Sequence, residues 1–139
     1  MAYQLTPVPD GLELAVTAGT REDLFRDTVQ GTLEAVYGSP LPEGSYGGQV
    51  VPVQAAGSDV PAQVAEIVSD CLRAVDGASG TLHPPRWMAF DEGRVTAHLP
   101  LTSPRADARV VLLRHAVAEA ASTPPWAFRF TFAVAPAAP

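Results

Sequence analysis

Residues Thr20 to Gly38 read TREDLFRDTVQGTLEAVYG, and this stretch decides the fold. Thr20 is an N-cap residue, and Glu22 and Asp23 put negative charge in the first turn, where helix N–H groups point outward. Thr20 and Asp23 stand at capping-box spacing, with Asp in place of the usual Glu. Phe25, Val29, Leu33 and Val36 recur at three- and four-residue steps, so they share one face, which Leu24, Thr28 and Thr32 widen. Gly38 can take the left-handed conformation that ends a helix. The pattern predicts an amphipathic helix with a broad packing face and both ends defined.

Around this helix the chain reads as strands. Tyr3 to Thr6 is a strand candidate stopped by Pro7 and Pro9, and Pro9-Asp10-Gly11 is turn chemistry. Leu12, Leu14 and Val16 then alternate with Glu13 and Ala15, the period of a half-buried strand. Ser39 to Gly48 reads as a Pro/Gly/Ser loop. Gln49 to Ala56 is the next strand, and Pro52 within it argues for an edge or a bulge. Ser58 or Asp59 caps a second helix with Pro61 in its first turn, an apolar stripe from Val64 to Val75, and Gly77 at its end. Thr81 to Phe90 is a strand broken by Pro84-Pro85, and Phe90-Asp91-Glu92-Gly93 is a hairpin turn into Val95, Ala97 and Leu99. Ala108 to Leu113 is strongly strand-forming, continued by His115 to Ala120. Trp126, Phe128, Phe130, Phe132 and Val134 give the clearest period-two pattern in the chain. The order predicts one α+β domain over residues 1–134, a mixed or antiparallel sheet with two main helices on one face, and a Pro/Ala tail over 135–139.

The composition narrows the function classes. Hydrophobic residues make up 47% of 139 residues and charged residues 17%, a core-forming balance for one domain. The nine basic residues are all arginine, and the net charge of −6 gives no general attraction for nucleic acid, so none is expected as a direct ligand. Cys71 is the single cysteine, on the apolar side of the second helix, and reads as a buried, inert thiol. No apolar run approaches the ~20 residues of a membrane span and no signal peptide precedes the fold, so the expected location is the cytoplasm.

The ordered set of motifs resembles the archease family, small cytoplasmic proteins that assist RtcB-type RNA ligases. Tyr3, the Asp10 turn and Leu12/Leu14/Val16 look like the family's first strand pair. Thr20, Glu22, Leu24 and Phe25 look like its T-x-E-x-L-F helix start. Residues Asp59 to Asp76 stand in the place of its long second helix, and Phe90 to Leu99 resembles its hairpin. Val110 to His115 resembles the strand ending in a Tyr-His pair, here Arg114-His115, and Trp126 to Val134 its terminal strand. The resemblance implies an accessory role in tRNA splicing or RNA repair, chaperone-like and non-enzymatic, promoting guanylylation and multiple turnover of the ligase through protein–protein contact. Arg114 and His115 are then the partner-binding candidates.

The resemblance also implies a divalent metal held by carboxylates, since hard cations want several oxygens converging on one point. This chain departs from that pattern. The family's His-x-x-Asp motif has become Pro7-Val8-Pro9-Asp10, and the last strand ends Phe132-Ala133-Val134-Ala135-Pro136 with no acid. Asp10 is the one remaining metal-ligand candidate. No cofactor is expected, and a calcium- or magnesium-type ion would need other groups to complete the site. The alternative is a diverged binding or structural module that keeps the fold without the metal-dependent role.

Other chemistry reads as structural. His83, His98 and His115 lie far apart with no metal-ligand spacing, and there is no GxSxG, GxGxxG or GxxxxGK[ST]. Arg105, Arg109, Arg114 and Arg129 suit phosphate if they line one sheet face, but the bland reading is a solvated face. Trp87 and Trp126 read as core or core-edge, and either one, if exposed, would be a partner anchor. The sequence does not fix an oligomeric state.

Overall fold

A computed structural model describes residues 3–57, 59–91, 93–120 and 124–135. The elements run β1 (Tyr3–Val8), β2 (Gly11–Ala18), α1 (Arg21–Tyr37), β3 (Ser45–Ala56), α2 (Val60–Gly77), β4 (Thr81–Leu82), β5 (Trp87–Asp91), β6 (Arg94–Ser103), β7 (Val110–Ala120) and β8 (Trp126–Ala135). The fold is α+β, and all the strand pairs are antiparallel.

The strands form two sheets rather than the single one expected. The first has the order β1-β2-β8-β7; in the second, β6 pairs with β3 on one side and with β4 and β5 on the other. The first sheet places the last strand in its middle, with Leu12, Leu14, Val16 and Ala18 opposite Phe132, Phe130, Phe128 and Trp126. Leu14, Val16, Phe128, Phe130 and Phe132 are buried, so the period-two pattern of β8 is the core face of that sheet. In the second sheet Val53, Ala55, Val95, Ala97 and Leu99 are fully buried on the corresponding face.

Helix α1 is positioned as its sequence demands. Thr20 Oγ1 accepts from the Asp23 N–H at 3.1 Å, and the Gly38 N–H closes the last turn on Glu34 O at 2.8 Å with φ 95°. All four stripe residues, and Leu24, Thr28 and Thr32, are buried. The two threonine hydroxyls donate to the carbonyls one turn back, Leu24 O at 2.7 Å and Thr28 O at 2.8 Å, so their burial leaves no unmet donor. Helix α1 meets both sheets. Gly31 faces Leu14 of β2, and Phe25 packs edge-on against Phe90 of β5 with centroids 5.9 Å apart.

Several boundaries differ from the sequence reading for identifiable reasons. Strand β1 runs through Pro7 to Val8, because β1 is an edge strand where the missing N–H costs no ladder bond. Strand β3 begins at Ser45 inside the expected loop, and pairs with β6 across a register shift between Tyr46 and Val50. Its edge position agrees with Pro52, and Asp70 of α2 accepts from the Gln54 N–H at 2.8 Å, tying the edge to the helix. Pro84-Pro85 separates β4 and β5 completely. Asp59 caps α2 through the Ala62 N–H at 2.9 Å, whereas Ser58, the other cap candidate, lies outside the described residues. Gly77 is the last residue of α2, and the cap residue Ala78 is extended rather than left-handed. Of the expected tail only Ala135 is described, as the end of β8; residues 136–139 lie outside the described residues. Among the described residues no helix is long and apolar enough to cross a membrane.

The α1–β2 contact generates a stability prediction. A Cβ on Gly31 would stand 2.5 Å from Leu14 Cδ1 and 2.8 Å from Cδ2, and Leu14 is fully buried, so its methyls must shift within a packed core. Gly31→Ala gains about 1 kcal/mol of helix propensity, but overpacking costs about 1–3 kcal/mol. Urea unfolding should therefore show a destabilised variant, and Gly31→Val a more destabilised one. A stabilised Gly31→Ala protein would mean that the helix does not sit this close to the sheet.

Candidate functional site

Asp10 sits in the two-residue turn between β1 and β2, where Val8 pairs with Gly11. Its φ is 64°, and its carbonyl accepts from the Val134 N–H at 3.4 Å, linking the turn to β8. Proline at the first turn position and a left-handed residue at the second is the pattern of a type II turn, and Asp is one of the few side chains that tolerates that φ. Among the described residues no three His, Cys, Asp or Glu side chains come close enough together to hold a metal ion. A lone exposed carboxylate beside Val134 and Ala135 does not fit the oxygen-rich shell of calcium or magnesium.

Arg114 and His115 lie at mid-strand on β7, at a register shift between Leu113 and His115, and both are exposed. His115 pairs with Thr131, three residues along β8 from Val134, a distance of about 10 Å. Asp10 and His115 therefore belong to one sheet but not to one site. Their surroundings differ as well. Strand β7 is an edge of the first sheet, and it exposes Val110 by 59%, Leu112 by 63% and Val117 by 52%. A groove of about 330 Å³ runs between this edge and α2, floored by Leu72, Val75 and Leu113 with Arg73 and Asp76 on its rim.

The four-arginine face does not form. Arg129 is clamped between Glu119 at 2.8 Å and Glu13 at 2.9 Å on the outer side of the first sheet, and Glu119 first, then Glu13, raise its pKa. Arg109 caps the end of α1, with its guanidinium on Ala35 O at 2.7 Å and its backbone N–H on Val36 O at 3.0 Å. Cys71 is fully buried, and that burial pushes its thiol up to about 12, so it stays an unreactive hydrophobe.

The second sheet carries a surface that periodicity alone did not place. His83, in the segment after β4, has Nε2 2.8 Å from Thr102 Oγ1, and its backbone N–H donates to Pro100 O at 3.0 Å. Together with Glu43, Tyr46, Pro84 and Arg86 it lines an open cavity of about 420 Å³. The Arg86 guanidinium lies over the Tyr46 ring, 4.6 Å from its centroid. Beside this cavity Trp87 stacks on His98 of β6 at 5.1 Å and is 49% exposed, while Trp126 is buried. Trp87 is thus not core. The signal available was the shortness of β5 after two prolines, which leaves its outward positions uncovered.

No family model matches the sequence, and no curated protein matches it.

Burial lowers the His83 pKa from the ordinary 6.5, so the folded chain binds this proton less readily than the unfolded one. Its contribution to stability is full above pH 6.5 and is lost as the pH falls below it. The urea midpoint should drop between about pH 7 and pH 5, and His83→Gln should flatten that part of the profile. An unchanged slope in the variant would remove His83 as its cause.

Proposed function

We propose that the chain is a non-enzymatic accessory protein that works by protein–protein contact, an archease-like partner of an RtcB-type RNA ligase in tRNA splicing or RNA repair. The observation that carries this reading is strand β7. It is long, lies at a sheet edge, exposes Val110, Leu112 and Val117, and presents Arg114 and His115 beside them. An open strand edge with apolar side chains is the surface to which another chain adds a strand, gaining ladder hydrogen bonds from its backbone and selectivity from its side chains. The net charge of −6 favours a protein partner over RNA as the direct contact.

In this reading Asp10 serves the turn, and stimulation of the ligase does not depend on a divalent ion held there. The isolated position of Asp10 also favours the second reading, a binding module that keeps the fold and has lost the ligase.

One assay separates them: RNA ligation by the same organism's RtcB-type ligase, with limiting enzyme and excess substrate. Added protein should carry turnover beyond the single-round level. Leu112→Asp should reduce that stimulation by about tenfold, the cost of losing one central apolar contact, and Asp10→Gly should leave it in place. Unchanged turnover with a demonstrably active ligase would overturn the ligase reading and leave the second.

A further inference from the structure

Among the described residues, Tyr46 and Trp87 are the exposed large aromatic side chains, at 40% and 49%. Both belong to the outer side of the second sheet. Trp87 pairs with His98 of β6, and Tyr46 pairs with Thr102 of the same strand. His98, Pro100 and Thr102 share one side of β6, where His98 is half-buried and Pro100 and Thr102 are buried, the latter against His83. Pro52 of β3 is also opposite His98, and Pro84 lines the cavity beside Tyr46. The two aromatic rings are therefore the exposed ends of one side of this sheet, on which Pro52 is exposed and His98 and Pro84 are half-buried.

Each ring is braced. Trp87 is held by the stacked His98 ring, and Tyr46 by the Arg86 guanidinium over its face. Braced rings lose little rotamer freedom when a ligand arrives, which is what makes an aromatic contact strong. No ion pair joins Arg86 to a carboxylate among the described residues, so its outward donors remain for an acidic group.

We propose that this face binds a proline-rich segment in polyproline II conformation, with an acidic residue of that segment at Arg86. A segment lying across a sheet face cannot join the ladder, so its backbone must be satisfied without strand partners. Polyproline II meets that condition because its backbone groups stay solvated. Its rings pack on flat aromatic side chains, the mode by which Trp- and Tyr-lined grooves take proline-rich ligands. The spacing fits. His98 and Thr102 stand about 13 Å apart along β6, which four or five residues of polyproline II cover at about 3.1 Å each. Single-stranded nucleic acid also stacks on such rings, but it needs a basic track along its backbone. On this face Arg86 is the single arginine of the cavity lining, and Glu43 lines the same cavity, so there is no basic track.

The test is a titration of the full chain with an end-blocked oligoproline peptide closed by a glutamate, read by tryptophan fluorescence and calorimetry. Trp126 is buried, so a shift reports Trp87. A saturable blue shift is expected. Trp87→Ala and Tyr46→Ala should each weaken binding by about tenfold or more. Both positions are exposed, and unchanged circular dichroism would show that the variants fold. Arg86→Gln should weaken the glutamate-bearing peptide and leave the all-proline peptide unaffected. No saturable shift, or equal affinity in Trp87→Ala, overturns the proposal. So does saturation by an oligouridylate without response to the peptide. Self-association that Trp87→Ala abolishes, without peptide binding, would overturn it too and assign the face to a second copy of the chain.

Discussion

The close seat of α1 on the first sheet is the constraint on which the rest of the structure depends. At Gly31 the helix offers backbone where other residues offer a side chain, and the Leu14 methyls fill that space. This approach lets one helix use nearly its whole circumference. One side meets β2, another meets Phe90 of the second sheet through Phe25, and Thr28 and Thr32 turn their hydroxyls back onto the helix's own carbonyls. A helix buried this far must have its last turn satisfied as well, and Arg109 reaches from the loop before β7 to the carbonyl of Ala35.

Since α1 and α2 pack on the inner sides of the sheets, the outer sides face solvent, and they differ in chemistry. The first sheet's outer side carries the Glu13–Arg129–Glu119 cluster, and at one of its two edges β7 exposes Val110, Leu112 and Val117. The second sheet's outer side has braced rings and prolines and a half-buried histidine. Arginine is used for structure in most of the places where phosphate chemistry would have needed it free. Arg109 caps a helix, Arg129 bridges two glutamates, and Arg21 binds Gln63 at 3.0 Å while lying over Phe90.

The candidate surfaces were only partly legible in the sequence. The residues of β7 were legible as strand, and Arg114 and His115 were legible as a pair worth following. Nothing local said that β7 would lie at an edge, because edge or centre depends on which strands pair across more than a hundred residues. The exposure of Trp87 was not legible for a related reason. Tryptophan is usually buried, but Trp87 lies on the outer side of the short strand β5, opposite His98, and is 49% exposed there. Asp10 was read both as a turn residue and as a ligand candidate. Its positive φ and its carbonyl bond to Val134 N–H show the turn role.

By itself the sequence determined what local forces can determine. Periodicity and capping chemistry set α1 between Thr20 and Gly38, the Asp59 cap and apolar stripe set α2, the alternation of Trp126 to Val134 set β8, and Pro52 marked β3 as an edge or bulged strand. Tertiary structure decided the partition into two sheets, because strand pairing is chosen by the inner faces that the helices can cover, not by any one strand's pattern. It also decided that the last strand lies beside the second, which arginines were spent on carbonyls and carboxylates, and that a tryptophan and a tyrosine far apart in sequence share one outer face.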